Sequence, residues 1–198
     1  MAARKAIFVI DIQHELARNP KTRVPHAERV IAAGEGILQA ARAVVDAHSR
    51  DNQPSPAMLV FVQHEESPAA GTMIKGSEPW DLVFAPRTSG REEILVAKKT
   101  GNTFESNPGL AARLRDAGVT EIVACGLQSE GCVEATCKGA LAAGFRVTVL
   151  AGAHSTYDAD GKSAVEIERQ VEQRLSTRGV RIAKWEETTA AWVREGRV

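Results

Sequence analysis

Three residues of types that cooperate in acyl transfer stand at the ends of separate apolar runs: Asp11, a lysine at 98 or 99, and Cys132. A thiol supplies a nucleophile, and a carboxylate can take its proton and later return one to a leaving group. A nearby ammonium keeps the carboxylate ionised and favours the thiolate. Cys132 lies in the stretch 124–136, ACGLQSEGCVEAT. The apolar run 121–125 is broken there by Gly126, and residues 129–143 take up helical spacing, with Val133, Cys137, Ala140 and Leu141 on one stripe. Cys132 is therefore expected in the first turn of a helix, where unpaired backbone N–H groups and the macrodipole favour an anion and lower a thiol pKa. The N–H groups of the same turn are placed to hold a developing oxyanion. Each residue alone has a plainer reading: a turn cap for the aspartate, a solvated charge for the lysine, a small packing residue for the cysteine. It is their joint fall at strand ends that favours chemistry.

The elements that must position them are read from periodicity. Continuous apolar runs at 5–11, 58–62, 94–97, 121–125, 145–150 and 180–183 predict strands buried on both faces. Helical patterns at 26–48, 107–117, 129–143, 162–175 and 188–195 alternate with them, with Pro25 and Pro108 at helix starts and Gly118 just past a helix end. Alternation of this kind implies an α/β fold: a doubly wound, six-stranded parallel sheet with helices on both faces, in one domain over 1–198. Ligands of such sheets bind outside the carboxyl ends of the strands. Asp11, His64, Lys98 or Lys99, Cys132 and His154 all fall there. The segment 65–91 has three prolines, three glycines, a lone Trp80 and no sustained period, which marks a functional loop. Trp185 and Trp192, seven apart, are read either as interface anchors or as core. Cys125 and Cys137, inside a strand and a helix, are read as packing.

Composition excludes several classes. Twenty-five basic residues balance twenty-five acidic ones, so charge gives no case for nucleic acid or an anionic membrane as partner. The run Ala6–Ile10 is too short for a signal-peptide core or a membrane span. Three cysteines, an odd count, point to reduced thiols and a cytoplasmic setting. There is no Cys-x-x-Cys and no His-Glu-x-x-His, so zinc is not suggested. A nucleotide-dependent oxidoreductase would need Gly-x-Gly-x-x-Gly after the first strand, where this chain reads IQHELARN.

The motifs Ile-Asp-Ile-Gln (10–13), KKTGNTF (98–104), GLQSEGCVEAT (126–136) and Ala-Gly-Ala-His-Ser (151–155) resemble those of the isochorismatase-like cysteine hydrolases, over about residues 7–175. The resemblance implies a catalytic triad of Asp11, Lys98 and Cys132, with Lys98 preferred to Lys99 by its distance from Phe104. It also implies a cis peptide between Leu127 and Gln128, and an oxyanion hole of the Gln128 and Cys132 N–H groups. Isochorismatases that cleave a vinyl ether lack the cysteine, so its presence points to the branch that hydrolyses C–N bonds. Nicotinamidases of the family bind a metal through Asp-x-His and a further His after the second strand. Here that place reads Gln63-His64-Glu65-Glu66, so neither metal nor cofactor is expected. The expected activity is hydrolysis of a small amide, carbamoyl or lactam compound through a thioester. A family member that binds a ligand without turnover and an isochorismatase-type ether hydrolase are the alternatives. Gln13, His64, Trp80, Phe104 and His154 are assigned to the substrate pocket. The expected partners are a small-molecule substrate and further copies of the chain, as a dimer or tetramer.

Overall fold

The computed structural model describes residues 4–88 and 92–198. Its centre is strand β1 (Arg4–Ile10), whose side chains alternate between two buried faces. Ile7 and Val9 join one apolar cluster, and Ala6, Phe8 and Ile10 join the other. A strand with no polar face has to sit mid-sheet. Here β1 is flanked by β2 (Ala57–His64) and β4 (Val119–Leu127) in the order β3-β2-β1-β4-β5-β6, all parallel. The outer strands are β3 (Glu93–Lys98), β5 (Arg146–Ser155) and β6 (Arg181–Lys184).

Short α1 (His14–Ala17), long α2 (Ala27–Arg50) and α7 (Trp185–Glu195) cover the Ile7 and Val9 face. The other face is covered by α4 (Leu110–Asp116), α5 (Glu134–Ala142) and α6 (Ala164–Ser176), and short α3 (Thr103–Ser106) packs on α5. Fully buried Phe8, Phe61, Leu59, Ile7 and Ile122 fill the two layers, each contributing about 1.5–3 kcal/mol on burial. Helix α6 opens on a capping box, Ser163 and Glu166 satisfying each other's backbone N–H. No helix among the described residues is long and apolar enough to cross a membrane.

The sheet is the expected doubly wound one; β2 to β6 run further at their carboxyl ends than periodicity gave, while β1 stops one residue earlier, before Asp11. The helix read over 107–117 is observed as α4, Leu110–Asp116, and the short α3 precedes it. Trp192 is buried in the α2-side cluster, and the Trp185 ring lies where a Cβ on Gly36 would stand. Trp192 is core and Trp185 packs against it, so of the two readings the core one is observed within the chain. The irregular segment 65–91 contains one 3₁₀ turn, Glu78–Trp80, and its residues 89–91 lie outside the described residues.

The winding reverses between β1 and β4, so the crevice at their carboxyl ends is the switch point where ligands of such sheets bind. Close approach is enforced at Gly126, register partner of Ile10: its φ is +130°, and a Cβ there would stand 2.0 Å from the Ile10 carbonyl oxygen. Gly126→Ala is expected to cost on the order of 3 kcal/mol, because backbone cannot yield as a side chain can. Gly144→Ala, at φ +83° but in open space, is expected to cost about 1–2 kcal/mol. Urea denaturation of the two variants checks this; equal losses would contradict the close approach.

Candidate active site

Asp11 immediately follows β1, at φ +49°, a left-handed conformation that aspartate tolerates better than most side chains. Its N–H donates to the Val62 carbonyl and its own carbonyl accepts from the Gln13 N–H, so the turn is fixed on both sides. Lys98 ends β3, two strands away, and is the register partner of His64 at the end of β2. Its long side chain runs back under β2 and is fully buried. Cys132 belongs to a wide turn, Ser129–Val133, inserted between β4 and α5. Gly131 interrupts helical geometry there, at φ −97° and ψ −108°. The peptide bond between Leu127 and Gln128 is cis, as the resemblance implied.

These elements bring Asp11, Lys98 and Cys132 into contact. The Lys98 ammonium lies 2.7 Å from Asp11 Oδ2 as an ion pair and 3.0 Å from Cys132 Sγ. It also lies 3.1 Å from His64 Nδ1 and 3.1 Å from the Thr100 carbonyl oxygen. An ammonium has three protons and accepts nothing, so the four acceptors around it share them. His64 Nδ1 is therefore an acceptor, which makes the imidazole neutral with its proton on Nε2. Lys99, by contrast, is exposed and faces Glu65 at 3.7 Å. Asp11 Oδ1 is buried and has no hydrogen-bond partner among the described residues.

The electrostatics follow from burial. Desolvation pulls the Lys98 pKa down, but Asp11 and Cys132 more than offset it, leaving the group above its ordinary value and charged. His64 is held below its ordinary value by burial and then by Lys98. Burial and the Asp11 carboxylate push the Cys132 thiol up to about 12 against the opposing pull of Lys98. This corrects the expectation of a thiol acidified by a helix start. The regular helix begins only at Glu134, past the sulfur, and burial and the Asp11 carboxylate set the direction of the shift. The resting site is thus a thiol beside a carboxylate, both touching one buried cation. The Asp11, His64 and Cys132 donor atoms lie within 4.8 Å of one another, an O, N and S set that suits zinc, but the Lys98 ammonium already sits against all three.

The pocket assignments divide. His64 is half-buried and at the site. Trp80 is half-buried against the α2-side cluster, and its carbonyl accepts from both Gln13 and Gln63. Gln13 is corrected: fully buried, it donates to the His64 and Trp80 carbonyls and accepts from the His64 N–H, so it ties the ends of β1 and β2 together. Phe104 is partly buried, its ring stacked on Phe8 at 5.9 Å and tilted against Phe145 at 6.0 Å. His154 is fully buried between Ser129 and Glu172. The contact of His64 with Lys98 was missed; the sole sequence signal for it is that both residues end neighbouring strands. A cavity of about 1280 Å³ lies elsewhere, at the amino ends of the strands beside Arg4, Glu121 and Trp192.

Because Asp11 raises the thiol pKa, Asp11→Asn should lower the midpoint for thiolate formation at Cys132 even though it removes the nearest base. Ultraviolet titration of the thiolate, taken as the difference from Cys132→Ala so that Cys125 and Cys137 cancel, reads this directly. An unchanged or raised midpoint would show that the carboxylate does not act on the sulfur.

Comparison with known proteins bears on the fold and the family. Residues 5–181 match the model of the isochorismatase domain. A streptothricin hydrolase of Streptomyces noursei is 32% identical over 181 residues, covering 91% of this chain and 58% of that protein. The chain thus spans a little over half the length of that curated relative. Among solved structures, a cysteine hydrolase from Pseudomonas syringae pv. phaseolicola superposes with a TM-score of 0.79 at 19% identity, covering 98% of this chain and 93% of that one. An isochorismatase-like hydrolase from Alkaliphilus metalliredigens superposes with a TM-score of 0.77 at 22% identity, over 96% and 99%. A domain match over nearly the whole chain, on a sheet that brings an aspartate, a lysine and a cysteine together at its switch point, makes this chain a member of the isochorismatase family.

Proposed function

We propose that the protein hydrolyses a C–N bond of a small amide, carbamoyl or lactam compound through a thioester on Cys132. The observation that carries this reading is the buried Lys98 ammonium, 2.7 Å from Asp11 Oδ2 and 3.0 Å from Cys132 Sγ. A thiol with a pKa pushed up to about 12 is not a preformed thiolate at neutral pH, so its proton has to leave as the sulfur attacks. Asp11 takes that proton, its charge held by Lys98 until then. The tetrahedral oxyanion is held by the Gln128 and Cys132 N–H groups, each donor of this kind contributing roughly 3–4 kcal/mol. The protonated Asp11 then gives its proton to the departing nitrogen, the C–N bond breaks, and the thioester remains. Asp11, again a carboxylate, activates water for the second half. Water adds to the thioester carbon, the C–S bond breaks, and the thiol regains its proton.

The similarity to a streptothricin hydrolase supports an amide or lactam substrate, and the cysteine itself argues against ether cleavage. Substrate selection falls to the half-buried His64, whose Nε2–H makes no hydrogen bond within the described residues, and to Trp80 on the irregular segment. Cys132→Ala should lower turnover by more than about a thousandfold with the thermal unfolding midpoint held. Ammonia release across primary amides and ureido acids, with mass spectrometry for lactams, identifies the substrate. Quenching with that substrate should leave an acyl adduct on the wild-type chain at Cys132. Undiminished hydrolysis by Cys132→Ala would remove the mechanism.

A further inference from the structure

The carboxyl end of β5 carries a polar strip that this chemistry leaves unused. His154, Ser155 and Thr156 are all fully buried, and each is tied by its side chain. His154 Nδ1 lies 2.8 Å from Ser129 Oγ, and its Nε2 lies 3.2 Å from Glu172 Oε1 on α6. Thr156 Oγ1 donates to Glu130 Oε1 at 2.7 Å. Ser155 Oγ donates at 2.6 Å to Glu168 Oε1, which also takes the Arg29 guanidinium at 2.6 Å. Ser129 and Glu130 open the turn that leads to Cys132.

A carboxylate offers only acceptors, so the His154 Nε2–H donates to Glu172, and in the neutral imidazole Nδ1 then accepts from the Ser129 hydroxyl. Serine, imidazole and carboxylate in that order also make up a hydrolytic triad. Here the serine is fully buried and no carbonyl carbon can reach it, so the relay makes no nucleophile. What it does reach is the turn. That turn is irregular: Gly131 breaks helical geometry, and the N–H groups of Gly131 and Val133 both return to the Gln128 carbonyl. Helical hydrogen bonding alone does not define its shape. Buried polar partners do, because leaving any one of them unpaired is costly. The strands agree with this, since His154 and Ser155 are the register partners of Gly126 and Leu127.

We propose that His154 is a positioning residue: through Ser129, and braced by Glu172, it fixes the turn that carries the Gln128 and Cys132 N–H groups. It thereby sets where the oxyanion is held, and leaves the reactivity of the sulfur alone. This rests on the cysteine-hydrolase reading above.

Two reactions of Cys132 separate these effects. Acylation by p-nitrophenyl acetate passes through a tetrahedral oxyanion, whereas alkylation by iodoacetamide does not. In His154→Ala and Ser129→Ala the acylation rate should fall at least about tenfold while alkylation stays close to wild type. His154→Gln, which keeps an acceptor and a donor, should recover most of the lost acylation. Should the alanine variants fail to fold, Glu172→Ala carries the test, because Glu172 reaches solvent, and the same split is expected. Unchanged acylation, or acylation and alkylation falling together, would overturn the positioning role. Wild-type protein acylated no faster than Cys132→Ala would instead sink the cysteine reading, and the positioning role with it.

Discussion

A buried positive charge has to be matched by acceptors, and the Lys98 ammonium is matched by a carboxylate, a thiol sulfur, an imidazole nitrogen and a carbonyl oxygen. Each of these comes from a different part of the chain. Removing the Asp11 carboxylate leaves the charge uncompensated at a cost well above that of a surface pair. The same requirement fixes the protonation states around it. Asp11 has a reason to be ionised, His64 a reason to be neutral, and Cys132 a reason to keep its proton until a base takes it. The charge thus organises the site before any substrate arrives.

The fold delivers those groups through strand order alone. β1 and β4 are neighbours where the winding reverses, so Asp11 and the turn after Gly126 face each other across the crevice. β2 lies between β1 and β3, and Gln13 ties its end to that of β1 so that the Lys98 side chain passes beneath a fixed strand. On the opposite flank, the polar end of β5 holds the turn that presents the sulfur. Rigid strand ends on both sides give a site whose parts are held by the sheet and not by mobile loops.

Much of this was legible in the sequence, for definite reasons. Unbroken apolar runs gave the parallel sheet, because only a strand covered on both faces can lack polar alternation. Asp11, the lysine pair 98 and 99, and Cys132 stood out because each closes or follows such a run, and the family resemblance chose Lys98. Less legible was anything decided by burial at a distance. The shift of Cys132 upward came from desolvation and from Asp11, 121 positions away in the sequence numbering, and local helix patterning pointed the other way. Gln13 and His154 looked available for a ligand because they sit near strand ends. Internal partners from residues 64 and 80, and from Ser129 and Glu172, had already taken them. The two tryptophans near the C-terminus were equally ambiguous until α2 was seen to present Gly36 to one of them.

The central claim, that one enclosed ammonium holds the site together, is tested most directly by heteronuclear NMR of the Lys98 Nζ across an alkaline titration. The account predicts a slowly exchanging, charged group that stays protonated beyond the ordinary lysine value of 10.5 and whose resonance moves when Asp11 is neutralised. A neutral amine in the physiological range, or a freely exchanging ammonium indifferent to Asp11, would contradict it.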